Sequence, residues 1–137
     1  MIGTFVDTSF LIASLRVSDD FHERALSWQR ASSPPLVTTE YVLVELLDAL
    51  ISPPVRAPAA SAVGAFRRSR VMRIVPASTA LLEEGIGWFA THTDKRWSLT
   101  DCISFVVMRR EGIIGALTND HHFEQAGFRA LLRSEPP

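Results

Sequence analysis

Four short apolar segments, each giving way to a helical pattern, constrain this chain more than any other feature. They are Ile2–Asp7 (IGTFVD), Leu36–Thr39 (LVTT), Val71–Val75 (VMRIV) and Ile114–Thr118 (IGALT). Each is strand-length and carries β-branched residues. Helical apolar spacing follows in TSFLIASL, in Ser18–Ala31 with Ser18 or Asp19 as its cap, and in Glu40–Ile51. It returns in AASAVGAFRRSR, in Ser78–Thr93, which Gly85 and Gly87 weaken, and in the stretch that opens at Trp97 and closes at Gly112. Ser52–Pro58 (SPPVRAP) reads as a loop between helices, NDHHFEQAG as a short helical turn, and FRALLR as an edge strand. Strands alternating with helices predict an α/β fold, a central parallel sheet of four to five short strands flanked by helices. In such sheets ligand sites collect beyond the carboxyl ends of the strands.

A length of 137 residues, 47% apolar and 21% charged, predicts one soluble globular domain over residues 1–137, its last few residues a short tail. No apolar run reaches the ~18 residues of a membrane helix, and MIGTFVDTSF lacks the basic start of a signal peptide. The single cysteine, Cys102, excludes an intrachain disulfide and fits a cytoplasmic location. The formal net charge of -1 argues against a basic nucleic-acid binder acting through overall charge. Of 14 basic residues only Lys95 is lysine. Arginine suits bidentate contact with phosphate or carboxylate, although a GC-rich genome enriches it without any such reason.

Four acids, two at predicted strand ends and two on helices, could converge on one crevice at the carboxyl edge of the sheet. Asp7 follows the first strand, Glu45 lies inside the helix after the second, Asp101 opens a later helix, and Asp120 follows the fourth strand. Helix capping competes as an explanation for three of them. Asp7 precedes the helix at Thr8, Asp120 or Asn119 stands before the turn at His121, and Ser98-Leu99-Thr100-Asp101 reads as a capping box. Glu45 is harder to dismiss. Val42, Leu43, Val44, Leu46 and Leu47 surround it, and no arginine or lysine occurs between Arg30 and Arg56. A buried carboxylate needs a partner or a cation.

If the four acids converge, protons or cations must relieve their repulsion. Oxygen ligands favour Mg²⁺ or Mn²⁺. Zinc fits less well, because Cys102 is alone and His121–His122 lack the spacing of a zinc pair. A carboxylate-held divalent cation supports phosphodiester hydrolysis.

VDTSFLIA, VTTEYVLVELLDAL, WSLTDCISFVVMRREGI and ALTNDHHFEQAGF, in this order across Ile2–Leu132, resemble the PIN-domain family, most closely its compact prokaryotic members such as the VapC-type toxins. The resemblance implies a PIN-like three-layer fold. It implies an Mg²⁺- or Mn²⁺-dependent endoribonuclease acting on single-stranded or structured RNA, with Asp7, Glu45, Asp101 and Asp120 as its acidic cluster. Thr118 matches a small hydroxyl residue beside the site, and Thr8 and Ser9 are candidates to orient water or phosphate. His22, His122 and Phe123 read as packing residues. The same likeness implies a cytoplasmic homodimer and, in toxin members, a cognate antitoxin that blocks the site. The apolar helices at Val42–Ile51 and Ala59–Phe66 are the candidate interface, with core packing as the competing reading. Arg67, Arg68, Arg70 and Arg73, and Arg109–Arg110, are the densest basic groups available to RNA. A non-toxin RNA-processing nuclease and a catalytically silent RNA-binding module are the alternatives. A receiver-like phosphoacceptor is disfavoured, since receivers pair acids on the first loop and place a lysine late in the chain, and the only lysine here is Lys95.

Overall fold

The computed structural model describes residues 2–137. Its strands are β1 (Thr4–Val6), β2 (Leu36–Thr39), β3 (Met72–Val75), β4 (Gly115–Leu117) and β5 (Arg129–Ala130). All pair in parallel, in the order β3-β2-β1-β4-β5. Successive strands move outward from β1 on one side and then restart on its other side at β4. The sheet therefore changes winding direction between β1 and β4, and a crevice opens beyond the carboxyl ends of those two strands. Of the FRALLR segment only Arg129–Ala130 pairs as a strand. Leu131–Arg133 turns into one turn of 3₁₀ helix.

The sheet is flanked by α1 (Thr8–Leu15), α2 (His22–Ala31), α3 (Glu40–Ala49), α4 (Pro53–Arg68), α5 (Thr79–Thr91), α6 (Leu99–Glu111) and α7 (His121–Gln125). Two helix starts differ from the sequence reading. The second helix begins at His22, because the Asp19 side chain accepts from the Phe21 backbone N–H at 2.8 Å and forms a turn of its own before it. The segment Ser52–Pro58 is the first part of α4 and not a loop. Pro53 and Pro54 occupy its first positions, where the missing N–H groups have no helical partner, and Pro58 comes close behind them.

The core forms around β1, whose Phe5 and Val6 are fully buried, and around α6, which is buried at every position from Asp101 to Met108. Phe105 anchors an aromatic cluster, with its ring centroid 4.9 Å from that of Phe123 and 5.1 Å from that of Trp97, both edge-on. Helix α5 lies against α6 at Gly85. A Cβ there would come within 2.4 Å of Ile103 Cγ1, so glycine permits the approach that seats α6. No helix of the described residues is long and apolar enough to cross a membrane.

Candidate active site

The four acids singled out from the sequence line one cleft of about 390 Å³ at the carboxyl ends of β1 and β4. Asp7 is held most firmly. It occupies the position before α1, but its side chain makes no capping bond. Instead Oδ2 accepts from Thr118 Oγ1 at 2.7 Å and from Ser9 Oγ at 3.1 Å. The two hydroxyls lie 3.0 Å apart, and they also accept from the backbone N–H groups of Asp120 and Asn119. Asp7 is only 4% exposed. Burial pushes its pKa up from 3.8 to about 7; the Thr118 hydrogen bond opposes the shift, and the nearby Asp101 charge adds to it.

Asp101 sits in the first turn of α6 and completes the capping box read from the sequence. Ser98 Oγ accepts from the Asp101 N–H at 3.0 Å, and Asp101 Oδ2 accepts from the Ser98 N–H at 3.1 Å. Burial again raises its pKa, against the pull of the Ser98 N–H, and the charges of Asp120 and Glu45 raise it further. Burial and the Asp101 charge also push the adjoining Cys102 thiol up to about 11, which keeps it protonated and unreactive.

Glu45 is half-buried on α3, less enclosed than its apolar neighbours in sequence suggested. With no basic residue on its helix, it takes its hydrogen bond from the Thr8 hydroxyl on α1. Asp120 caps α7, accepting from the His122 N–H at 2.8 Å. Thr8, Ser9 and Thr118 are thus all bonded to the acids, two of them directly to Asp7.

Two residues of the cleft were not singled out as functional from the sequence. His122 does not pack in the core as Phe123 does. Its Nδ1 lies 3.3 Å from both Asp101 Oδ2 and Asp120 Oδ1. Adjacent residues on a helix point about 100° apart, so one side chain can enter the core while the other reaches the cleft. Arg96 is the arginine that lines the cleft, and it makes no ion pair among the described residues. Of the six arginines in the dense groups singled out from the sequence, Arg67, Arg68 and Arg70 make no ion pair among the described residues, and the other three are engaged elsewhere. Arg73 pairs with Glu111, Arg110 pairs with Glu84, and Arg109 lies over the Trp88 ring. His22 is structural, as read, with Nδ1 2.7 Å from the Ala13 carbonyl.

Among the described residues, the tightest group of possible metal ligands is Asp120, His121 and His122, whose ligand atoms lie within 4.8 Å of one another. The wider cleft adds Asp7, Glu45 and Asp101 to that corner. The arrangement can hold a cation on oxygen, with imidazole nitrogen at one side.

A parallel sheet of this winding, with acids gathered at its switch point, defines a recognisable class. Residues 4–129 match the PIN domain, and the chain belongs to the PIN-domain family. It is closely related to the 23S rRNA-specific endonuclease VapC20 of Mycobacterium tuberculosis, at 35% identity over 124 residues that cover 90% of this chain and 94% of that protein. The crystal structure of M. tuberculosis VapC20, described as a sarcin-ricin loop cleaving toxin, superimposes with a TM-score of 0.87 at 33% identity, covering 93% of this chain and 98% of that one. FitAcB from Neisseria gonorrhoeae shares the fold, with a TM-score of 0.65 at 16% identity over 93% of this chain and 98% of that one.

Proposed function

We propose that this chain is an Mg²⁺- or Mn²⁺-dependent endoribonuclease that hydrolyses phosphodiester bonds of single-stranded or structured RNA, and that it is the toxin of a type II toxin–antitoxin pair. The observation that carries the reading is the meeting of Asp7, Glu45, Asp101 and Asp120 in one cleft of a PIN-family chain. Similarity to a ribosomal-RNA endonuclease along most of the chain supports it. Residues 1–137 are proposed to form one domain that works in the cytoplasm as a homodimer, with a cognate antitoxin as its protein partner.

The donor set fits a hard divalent cation. Four carboxylates line one cleft, and the buried pair, Asp7 and Asp101, is held above the ordinary carboxylate range. A bound cation offsets that crowding. Asp7, Glu45, Asp101 and Asp120 would hold it, with His122 steadying Asp101 and Asp120. When bound there, such an ion acidifies water and offsets the charge that builds on a phosphate during hydrolysis. The chain's own residues supply the orientation. Thr118 and Ser9 aim the Asp7 carboxylate, Thr8 fixes Glu45, and the capping box fixes Asp101. Arg96 offers positive charge to a phosphate at the lip of the cleft.

The test is cleavage of ribosomal RNA and of short stem-loops by purified protein with Mg²⁺ or Mn²⁺. Activity is expected to vanish with EDTA and in Asp7→Asn and Asp101→Asn. Unchanged activity in both variants, or no RNA cleavage by the wild type with either ion, refutes the proposal. Growth arrest on expression that Asp101→Asn relieves tests the toxin role separately.

A further inference from the structure

The chain from Lys95 to Ser98 joins α5 to α6 without regular structure, and its side chains alternate between two hollows. Arg96 and Ser98 line the acidic cleft. Lys95 and Trp97 line a neighbouring hollow of about 380 Å³, together with Phe89 and His92. Four consecutive residues thus form the divide between the two.

The second hollow has an aromatic wall. The His92 ring lies 4.9 Å from that of Trp97 and 5.1 Å from that of Trp88. Phe89 takes no part in the hydrophobic core and is 55% exposed. Lys95 pairs only with exposed Asp94, at 3.2 Å, a bridge that contributes little against solvent. One exposed ring, Phe89, beside the half-buried His92 and the Lys95 cation suits one kind of occupant, a single-stranded nucleic acid with a base stacked on the ring and its phosphates near the charge. Arg96 fits the same path. It is free of ion pairs among the described residues, and it lines the cleft to which four acids contribute negative charge.

We infer that the hollow lined by Phe89, His92 and Lys95 receives the base of a nucleotide adjoining the scissile phosphate, and that Arg96 contacts the backbone where the strand crosses from cleft to hollow. This rests on the ribonuclease reading above and adds to it the path of the RNA strand.

The test first maps a cleavage site for the wild-type protein with Mn²⁺. It then measures binding of a fluorescent single-stranded oligoribonucleotide spanning that site to the full chain carrying Asp101→Asn. Phe89→Ala in this background is expected to weaken binding roughly 5- to 150-fold, the range for loss of one stacked base. Phe89→Trp restores it, and circular dichroism confirms the fold of each variant. An abasic nucleotide at one position beside the cut is expected to weaken binding to the parent by a similar factor and to leave binding to Phe89→Ala little changed. Arg96→Ala is expected to weaken binding of every oligonucleotide alike and to reduce the salt dependence by about one ion. Equal RNA affinity of Phe89→Ala and its parent overturns the subsite and leaves the ribonuclease reading standing, as does an abasic loss that multiplies with the Phe89→Ala loss at every position. A wild-type chain that cuts no RNA overturns both.

Discussion

Replacing Asp7 with asparagine is expected to stabilise the ion-free protein at pH 8 and to do little at pH 4. Asp7 binds its proton more tightly when folded, with a pKa of about 7 against 3.8 for an unperturbed carboxyl. The stability associated with it is therefore fully present below pH 3.8 and is lost as pH rises through about 7. A shift of that size corresponds to about 4 kcal/mol as an upper bound. Asparagine keeps an oxygen for Thr118 and Ser9 but replaces the other carboxyl oxygen with an amide that cannot accept, which costs about 1 kcal/mol. The net expectation is a gain of about 1–3 kcal/mol at pH 8 that shrinks as pH falls. Urea denaturation in EDTA, repeated from pH 4.5 to 8.5 on both proteins, measures it. Added Mn²⁺ should reverse the order, because the wild type gains binding energy that the variant lacks. A difference that stays constant across pH, or a variant less stable than the wild type at pH 8, refutes the assignment of Asp7 as a carboxylate strained by burial.

Three further substitutions probe the supports of the site. Thr118→Val removes the hydroxyl that draws the Asp7 pKa down, so the acid limb of the cleavage–pH profile is expected to move to higher pH, and Thr118→Ser to move it back. Ser98→Ala removes the acceptor for the Asp101 N–H and is expected to cost about 1 kcal/mol in thermal or urea unfolding, with a fall in kcat as Asp101 loosens. Gly85→Ala drives a Cβ against Ile103 and is expected to destabilise by about 1–2 kcal/mol after the gain in helix propensity. Ile103→Ala should make that cost smaller in a double-mutant cycle.

The topology is legible in the sequence because each strand ends on a change of hydrophobic period; Asp7 and Asp120 are legible because they sit at such changes, Asp101 because it opens a helix, and Glu45 because its helix offers no basic partner. Side-chain direction is harder. The sequence places Asp7 before a helix, yet its bonds run to Ser9 and to Thr118, a residue 111 positions away, and no local pattern predicts the second contact. His122 reads as a packing residue because it adjoins Phe123, and only the placement of α7 turns it toward Asp101. Arg96 stands alone in irregular chain, where no periodicity marks a face. The denser arginine groups are more conspicuous in the sequence, but Arg73, Arg109 and Arg110 among them are held by ion pairs and a ring contact. The prolines of Ser52–Pro58 suggest a loop. Proline suits a helix start equally well, and only the small-residue helical run from Ala59 onward, continuous with them in α4, separates the two readings.

Capping and ligand binding are not rival explanations for Asp101. A carboxylate offers about four acceptor positions, and the capping box uses one, at the Ser98 N–H. That bond fixes the carboxylate relative to α6, and α6 is fixed in turn by its burial from Asp101 to Met108. The cap therefore pre-orients the remaining acceptor positions toward the cleft at little further conformational cost. Asp7 reaches the same end without a cap, because two hydroxyls and near-complete burial hold it. Glu45 and Asp120 are held less tightly, one by a single hydroxyl and the other by a short helix. The cleft thus pairs two rigid, buried carboxylates with two adjustable ones. In the ribonuclease proposed above, Asp7 and Asp101 would hold the cation rigidly, and Glu45 and Asp120 would be the ligands free to adjust.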